Sequence, residues 1–445
     1  MTAPDYEKLL VRSSIGPART PKEDYRYNFG TVLPGMDLLP IEELAEIARQ
    51  AVLAEGRVLS FYPPDLGPRD ARVFVAKKLT EDRGIQLTAE DLLLTNGSNE
   101  AIRLVLDSLV SPGDIIIGEQ NLYLGSLRHF RMFGAETVGV ETDDDGMRMD
   151  RLAETLEALQ RQGKHAKFIY TISTFQNPEG TVLPLERRRE LLRLAQQYET
   201  LVLEDDCYVH ERLDIEDLPP ATASLPGARD WVMYCGTYSK ILGPGIRFGW
   251  VAAPEPILHR MAGWKHSGGN NFVVPMIVCR YLEKHWDGRI KALGADLLVR
   301  RNAMASALQE HFGDRASFFL PRGGMFMWVR FPDAVDTGAL LEKATEAGVR
   351  YNPGVQFSPT NGSRNFARMA FAFHDERTIH EGVGALARVE PNQMNHALGI
   401  ECPRHRDVFV QLDLGQWRIR ARSAHRKITL RFHRRRQENR HNDPD

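Results

Sequence analysis

The chain has 445 residues and a formal net charge of −2, with 42% hydrophobic and 26% charged residues. This length is enough for two globular domains with their own cores, and the even charge balance argues against binding to nucleic acid or to a membrane surface. No basic stretch followed by an apolar run opens the sequence, and no long uncharged apolar segment interrupts it, so we expect a soluble, cytoplasmic protein.

Residues 1–40 are rich in Pro, Gly and Tyr, which predicts an N-terminal arm. Apolar residues then recur at helical spacing from Ile41 to Glu55, and Gly56 ends this helix. Further along, short apolar runs typical of buried strands alternate with amphipathic helices. The predicted strands are Asp91–Leu94, Ile115–Gly118, Phe168–Ile172, Leu201–Leu203, Val232–Cys235 and Trp250–Ala252, and the predicted helices are Glu100–Leu109, Met149–Gln162 and Leu185–Tyr198. The alternation predicts an α/β domain over residues 41–286, with helices on both faces of a mostly parallel sheet.

The pattern changes near Asp287, where a long amphipathic helix (Ile290–Phe312) precedes an alternating segment (Ser317–Phe331). We expect a smaller α+β domain over residues 287–390. The remaining residues, 391–445, form a basic tail, in which twelve Lys or Arg oppose six Asp or Glu between Glu401 and Asp445. A basic arm can bind nucleic acid, but a disordered appendage without a packed role is the expected state.

The strongest local signal is the segment Gly236–Lys240, which follows a predicted strand and comes just before Arg247. A lysine past a strand end lies where open α/β sheets bind ligands, and its amine can form an imine with an aldehyde. The hydroxyls of Thr237 and Ser239 and the guanidinium of Arg247 suit a phosphate group. By itself, the segment also fits a surface loop with a solvated lysine.

A second signal is the apolar strand that begins at Leu201 and ends in Glu204, Asp205 and Asp206, shortly before Tyr208. Adjacent carboxylates at the end of a buried strand cost free energy unless a cation lies nearby. No histidine or further acid at suitable spacing completes a metal site, whereas a protonated pyridine nitrogen would match one buried carboxylate.

Two polar turns follow other predicted strands. Thr95–Glu100 places a Gly-Ser turn at a helix N-terminus, where free N–H groups favour a phosphate, although an ordinary capped helix has the same pattern. Phe175–Gly180 contains Asn177 before Pro178, which favours an extended or turn backbone and also fits a simple β-turn. Because these segments follow strands of one parallel sheet, we expect them to line one crevice.

In this order and combination, the segments resemble the fold-type-I, aspartate-aminotransferase-like family of pyridoxal-phosphate enzymes. The similarity covers about residues 25–390 and is greatest to the 2-aminoadipate and kynurenine aminotransferases. Gly323–Trp328 and Tyr351–Gly354 resemble the family's GGMF-W strand and Pro-Gly turn. The resemblance implies pyridoxal 5'-phosphate as the cofactor, no metal, and a homodimer with active sites at the subunit boundary.

The resemblance also implies roles for individual residues. Lys240 is implied to be the Schiff-base lysine, Asp205 the partner of the ring nitrogen, and Tyr208 a third catalytic residue that binds the ring oxygen together with Asn177. Arg368 is implied to hold the substrate α-carboxylate, and Asn177 is implied to contact the substrate as well as the cofactor. The other implied cofactor-binding residues are Ser98, Asn99, Thr237 and Arg247 at the phosphate, Tyr123 stacked on the ring, and Tyr62 at the phosphate of the neighbouring subunit.

The arm departs from the family pattern, because this chain has Thr31-Val32-Leu33-Pro34 where relatives usually carry Gly-Gly-Leu-Pro. We expect Val32 to face the substrate and narrow its pocket. The leading hypothesis is transamination between an L-amino acid and a 2-oxo acid. A lyase, cyclase or replacement reaction stays open because of this arm and the polar loop Lys265–Asn271. A ligand-sensing regulator stays open too, although about forty residues before the first helix are too few for a helix-turn-helix domain.

Overall fold

The computed structural model describes residues 25–265 and 269–389. The start of the predicted arm, three residues of the polar loop and the predicted basic tail lie outside the described residues. The α-helices are α1 (Ile41–Glu55), α2 (Arg69–Arg83), α3 (Ser98–Leu109), α4 (Leu124–Met132), α5 (Met149–Arg161), α6 (Leu185–Gln197), α7 (Ser239–Leu242), α8 (Glu255–Trp264), α9 (Val273–Phe312), α10 (Thr337–Glu346) and α11 (Glu376–Arg388). The strands are β1 (Tyr27–Asn28), β2 (Leu92–Thr95), β3 (Ile115–Glu119), β4 (Glu136–Val140), β5 (Thr142–Asp143), β6 (Gly146–Met147), β7 (Ala166–Thr171), β8 (Leu201–Asp205), β9 (Val232–Thr237), β10 (Gly249–Ala252), β11 (Ser317–Phe318), β12 (Phe326–Arg330), β13 (Val349–Arg350), β14 (Asn352–Pro353) and β15 (Phe366–Ala370).

A seven-stranded sheet in the order β2-β10-β9-β8-β7-β3-β4 forms the centre of the molecule. The pairs from β9 to β4 are parallel, whereas β10 runs antiparallel to both of its neighbours. The predicted α/β class with a mostly parallel sheet is therefore confirmed.

Both faces of this sheet are covered, because alternate residues of a strand point to opposite sides. Ile116 of β3 packs in one apolar cluster with residues of α3 and α4, whereas Ile115 and Ile117 pack in another with residues of α5 and α6. Burial on both faces explains why these strands are continuous apolar runs.

The structure differs from the predicted elements in several places. The predicted helix Ile290–Phe312 is the second half of α9, so the predicted domain boundary at 286/287 falls inside a helix. The division into two domains stays a prediction. The elements without a counterpart in the sequence prediction include α2, α4, α8 and the edge strand β4.

A second sheet, antiparallel and in the order β11-β12-β15-β14, carries Arg368 in its third strand. The described part of the arm packs beside it, since β1 pairs with β13 and Phe29 is fully buried. The part of the arm around Tyr27–Phe29 is thus built into the core near this sheet. Among the described residues, no helix combines the length and apolar character that a membrane span requires.

Candidate active site

The predicted motifs meet at one edge of the seven-stranded sheet. Asn177 follows β7, Asp205 ends β8 and Lys240 follows β9, and these parallel strands all end at the same edge. Because β10 runs the other way, Arg247 reaches the same edge just before β10 begins. The carboxyl edge of an open α/β sheet is the usual place for a ligand.

Asp205 is a buried carboxyl group with one free oxygen. Its exposed fraction is 1%, Oδ2 accepts a 3.0 Å hydrogen bond from the Tyr170 hydroxyl, and Oδ1 has no partner among the described residues. Ser126 in turn donates to the Tyr170 hydroxyl at 2.8 Å, which fixes its orientation. Burial raises the pKa of Asp205 to about 6, against the hydrogen bond from Tyr170, which lowers it. A cation or N–H donor at Oδ1 would satisfy this group.

The two acids beside Asp205 are paired with arginines. Glu204 lies 3.4 Å from Arg188, and Asp206 lies 2.8 Å from Arg83, with all four side chains fully or almost fully buried. Of the three adjacent acids, only Asp205 therefore needs a bound cation to balance its charge. The chain supplies the partners of the other two acids from α2 and α6.

Lys240 is half-buried, and its amine contacts the arm. Nζ donates a 3.1 Å hydrogen bond to the main-chain carbonyl of Val32 and lies 5.6 Å from the centre of the Tyr208 ring. Burial lowers the pKa of Lys240, while the nearby groups Cys207 and Glu211 raise it. A lowered pKa increases the neutral, nucleophilic fraction of the amine.

Asn177 joins Tyr208 to Arg368. Its Nδ2 donates to the Tyr208 hydroxyl at 2.9 Å, and its Oδ1 accepts from Arg368 at 3.2 Å. All three side chains are buried, and the peptide bond from Asn177 to Pro178 is cis. The large sheet and the second sheet are thus linked by a hydrogen-bonded chain of three predicted site residues.

Arg368 is held on several sides and keeps one free donor. It donates to the Gly30 carbonyl at 2.7 Å and to Asn352 at 3.1 Å, while its Nε has no partner among the described residues. The guanidinium lies 5.7 Å and 5.2 Å from the ring centres of Phe326 and Phe357. Such a fixed, planar donor group is suited to a carboxylate.

A group of small polar residues surrounds the start of α3. Gly97 precedes this helix with φ of 84°, and a Cβ there would lie 3.0 Å from the Arg247 guanidinium, which itself donates to the Asn96 carbonyl. Ser98 and Asn99 provide the first N–H groups of the helix, which have no intrahelical partner. The hydroxyls of Thr237 and Ser239 lie 2.8 Å apart at the end of β9.

The remaining predicted residues differ in their exposure. The Tyr123 ring lies over Gly125, where a Cβ would be 2.6 Å from Cε1, and burial raises the pKa of its hydroxyl. Val32 packs at the edge of the main apolar cluster, and only its carbonyl bonds to Lys240. Tyr62 is 94% exposed and makes no hydrogen bond or ring contact with the other predicted site residues described here.

The family model for class I and II aminotransferases matches residues 32–386. The chain belongs to this family. It is 35% identical over 365 residues to the aromatic-amino-acid aminotransferase 1 of Thermococcus litoralis, which covers 81% of this chain and 87% of that protein. Among solved structures, it is similar to a multiple substrate aminotransferase from Thermococcus profundus, with a TM-score of 0.82, 30% identity, and coverage of 88% of this chain and 100% of that one. It is also similar to an α-aminoadipate aminotransferase from Thermus thermophilus, solved in complex with N-(5'-phosphopyridoxyl)-L-leucine, with a TM-score of 0.76, 29% identity, and coverage of 84% and 92%.

As an aminotransferase, the chain fits the leading hypothesis better than the lyase, cyclase or regulator alternatives. Sequence reasoning missed several residues that hold its site together. Tyr170 lies in a predicted strand, and nothing in the sequence distinguishes it from the other residues of that strand. Asn352 lies in the segment Tyr351–Gly354, which the sequence identifies only through its Pro-Gly turn. Glu211, a buried acid three residues after Tyr208, also went unnoticed because single charges in loops are usually exposed.

Proposed function

We propose that this aminotransferase holds pyridoxal 5'-phosphate covalently through Lys240 and moves an amino group between an L-amino acid and a 2-oxo acid. The observation that carries the proposal is that Oδ1 of Asp205 is buried and has no hydrogen-bond partner in the described part of the chain, at the sheet edge near which Lys240 also lies. A positively charged ring N–H is the type of donor that this oxygen lacks.

The other ends of the cofactor have matching groups. The N-terminus of α3, with Ser98 and Asn99, offers N–H groups and a helix dipole to a phosphate, and Arg247 and Thr237 add a cation and a hydroxyl. The Tyr208 hydroxyl and Asn177 supply hydrogen bonds for the ring oxygen, and the Tyr123 ring offers a stacking surface. The residues present therefore fit this group.

When bound, pyridoxal phosphate supplies an electron sink that stabilises negative charge at the substrate α-carbon. The Asp205 carboxylate would stabilise a positive charge on the ring nitrogen. The Lys240 amine would act as the base toward the proton on the α-carbon, and its lowered pKa favours the neutral form that this role needs. Tyr208 and Asn177 orient the reacting groups.

Arg368 is the proposed partner of the substrate α-carboxylate. Because Gly30, Asn177 and Asn352 already fix its guanidinium, little side-chain entropy is lost when the substrate binds. Val32 lies on the arm beside Lys240 and is the proposed limit on the substrate side chain.

Borohydride reduction of the holoenzyme tests the proposed linkage. We expect a phosphopyridoxyl mass addition on the peptide that contains Lys240, and the variant Lys240→Ala should lack both this addition and the visible absorbance of the bound cofactor. Mixing the wild-type enzyme with a panel of amino acids should convert the visible band to that of the amine form. If no amino acid of a broad panel produces this change, the proposed transamination is wrong.

We also propose a homodimer. Residues 36–62 expose an unusual number of large apolar side chains: Met36 (75%), Ile41 (62%), Leu53 (74%), Phe61 (72%) and Tyr62 (94%). Exposed large apolar side chains that form a contiguous patch are characteristic of a protein interface, and we propose that these do so. The proposed role of Tyr62 is to reach the phosphate bound by the partner subunit.

Hybrid dimers of Lys240→Ala and Tyr62→Phe subunits test this arrangement. If Tyr62 acts across the interface, the subunit with an intact Lys240 receives an intact Tyr62 from its partner, so the hybrid regains one wild-type site. If Tyr62 acts within its own subunit, the hybrid keeps the weakened cofactor affinity of the Tyr62→Phe parent. A monomer with full activity in sedimentation would contradict the dimer itself.

A further inference from the structure

We propose that Glu310, His311 and His380 form a binding site for a divalent transition-metal ion, for which zinc is the best match. Glu310 and His311 belong to the last turn of α9, and His380 belongs to α11. One ligand atom from each residue lies within 4.8 Å of the other two, and His380 Nδ1 is 3.7 Å from Glu310 Oε2. The cluster is separate from the residues assigned to cofactor and substrate.

The ligand set and its spacing agree with a tetrahedral ion. Two imidazoles and one carboxylate are typical ligands of zinc, and metal–ligand bonds of about 2.1 Å place neighbouring ligand atoms about 3.4 Å apart. The contact between His380 and Glu310 is already close to this spacing. The Glu310 side chain is 63% exposed, so it can rotate and bring its carboxylate to the distance from the two imidazoles that a tetrahedral ion requires. Water can occupy the fourth position.

The imidazole ring of His311 packs against α11 at Gly384. Gly384 follows His380 by one helical turn and therefore lies on the same face. A Cβ on Gly384 would be 3.0 Å from His311 Nε2, so the glycine leaves room for the imidazole. The two imidazole rings are 6.4 Å apart at an angle of 70°, and no residue described in the structure makes a hydrogen bond to either ring. Both rings can thus turn toward a shared ion.

Some charges near the proposed site favour a bound cation and others oppose it. The C-terminal end of the 40-residue helix α9 carries the negative end of the helix dipole, which favours a cation, and Glu310 adds a full negative charge. Arg315 donates to the His311 carbonyl at 2.8 Å, and Arg388 NH1 lies 3.5 Å from the Cβ position of Gly384, so both arginines oppose a cation. A bound ion would connect the end of α9 to α11 and stabilise the packing of these two helices.

Zinc titration of the full-length holoenzyme, in competition with a chromophoric zinc chelator, tests the site. The test variants are His311→Ala, His380→Ala and Glu310→Gln. The matched control is His259→Ala, because His259 lies 4.0 Å from Glu255 on a single helix and no third ligand from the described residues joins this pair. We expect the wild type and the control to bind one zinc equivalent that the histidine variants lose or bind about tenfold or more weakly. Histidines elsewhere in the chain contribute equally to all variants and cancel in the comparison.

A thermal unfolding series gives a second readout. Zinc should raise the Tm of the wild type and of His259→Ala and leave that of His311→Ala unchanged. The far-ultraviolet circular dichroism spectrum reports whether each variant is folded, and the exposed substitution Glu310→Gln keeps the test valid if a histidine variant misfolds. Wild-type zinc affinity in all three test variants would overturn the proposal, and so would an equal loss in His259→Ala.

Discussion

Glu211 allows a quantitative test of how burial near Lys240 shapes the stability of the protein. Its N–H donates to the Tyr208 carbonyl at 3.0 Å in a tight turn, its exposed fraction is 1%, and neither carboxylate oxygen has a hydrogen-bond partner among the described residues. Burial raises the pKa of Glu211 to about 8 from 4.5, although the charge of Lys240 acts to lower it. The side chain is therefore neutral in the folded protein at pH 7.

The variant Glu211→Gln replaces this neutral acid by a neutral amide of the same shape. Between pH 4.5 and 8, the unfolded wild type has released the proton of Glu211 while the folded protein keeps it. The stability that this group contributes is complete below pH 4.5 and is lost as the pH rises through 8, by about 1.4 kcal/mol per unit. The whole window corresponds to roughly 5 kcal/mol, and the interval from pH 5.5 to 7.5 to about 3 kcal/mol.

Urea unfolding of the cofactor-free wild type and of Glu211→Gln across this pH range measures the effect. The free energy of unfolding of the variant minus that of the wild type should rise with pH, since only the wild type carries this proton. Glu186→Gln is the control, because the Glu186 side chain is 79% exposed and its substitution should leave the pH profile unchanged. Parallel profiles for Glu211→Gln and the wild type would refute the reasoning.

Three further substitutions test other parts of the structure. Arg368→Lys removes a planar donor and should raise KM for the amino acid by about 10-fold or more with a smaller effect on kcat, measured by steady-state kinetics. Asp205→Asn cannot balance a positive ring nitrogen, so kcat should fall on the order of 100-fold and the cofactor should dissociate more readily in equilibrium dialysis. Arg83→Leu leaves the buried Asp206 without its paired arginine and should lower the free energy of unfolding by about 3–5 kcal/mol, whereas Arg229→Leu, at an ion pair whose arginine is 70% exposed, should change it by less than about 1 kcal/mol.

The sequence was most informative where one periodicity continues through a whole element. Ile41–Glu55 agrees residue for residue with α1, because its apolar positions follow a helical period and Gly56 stops it. The helix α2 is not predicted from the sequence, because more than half of its residues are charged and its apolar period is weak. The sequence predicts too late a start for α9, because Asp287 and Gly288 resemble a helix break. In the structure Gly288 lies within the helix, and no neighbouring atom is within 4 Å of its Cβ position.

At the site, strand-end motifs could be read from the sequence, whereas long-range partners could not. Lys240 and Asp205 stand beside recognisable strands, so their position at one sheet edge follows from topology. Arg83 pairs with Asp206 from 123 residues away, and nothing local marks this arginine as buried. Contacts made by main-chain atoms, such as the hydrogen bond from Lys240 to the Val32 carbonyl, cannot be predicted from the residue type.

Those arm contacts have a consequence for how this enzyme can be altered. Arg368 and Lys240 bond to the peptide carbonyls of Gly30 and Val32, and every amino acid carries the same carbonyl. Under the proposed role of Val32 as the limit on the substrate side chain, randomising position 32 would change the shape of the pocket and leave both main-chain acceptors in place. A combinatorial library at this position would therefore test the proposed role of Val32 in amino-acid preference without removing either hydrogen-bond acceptor.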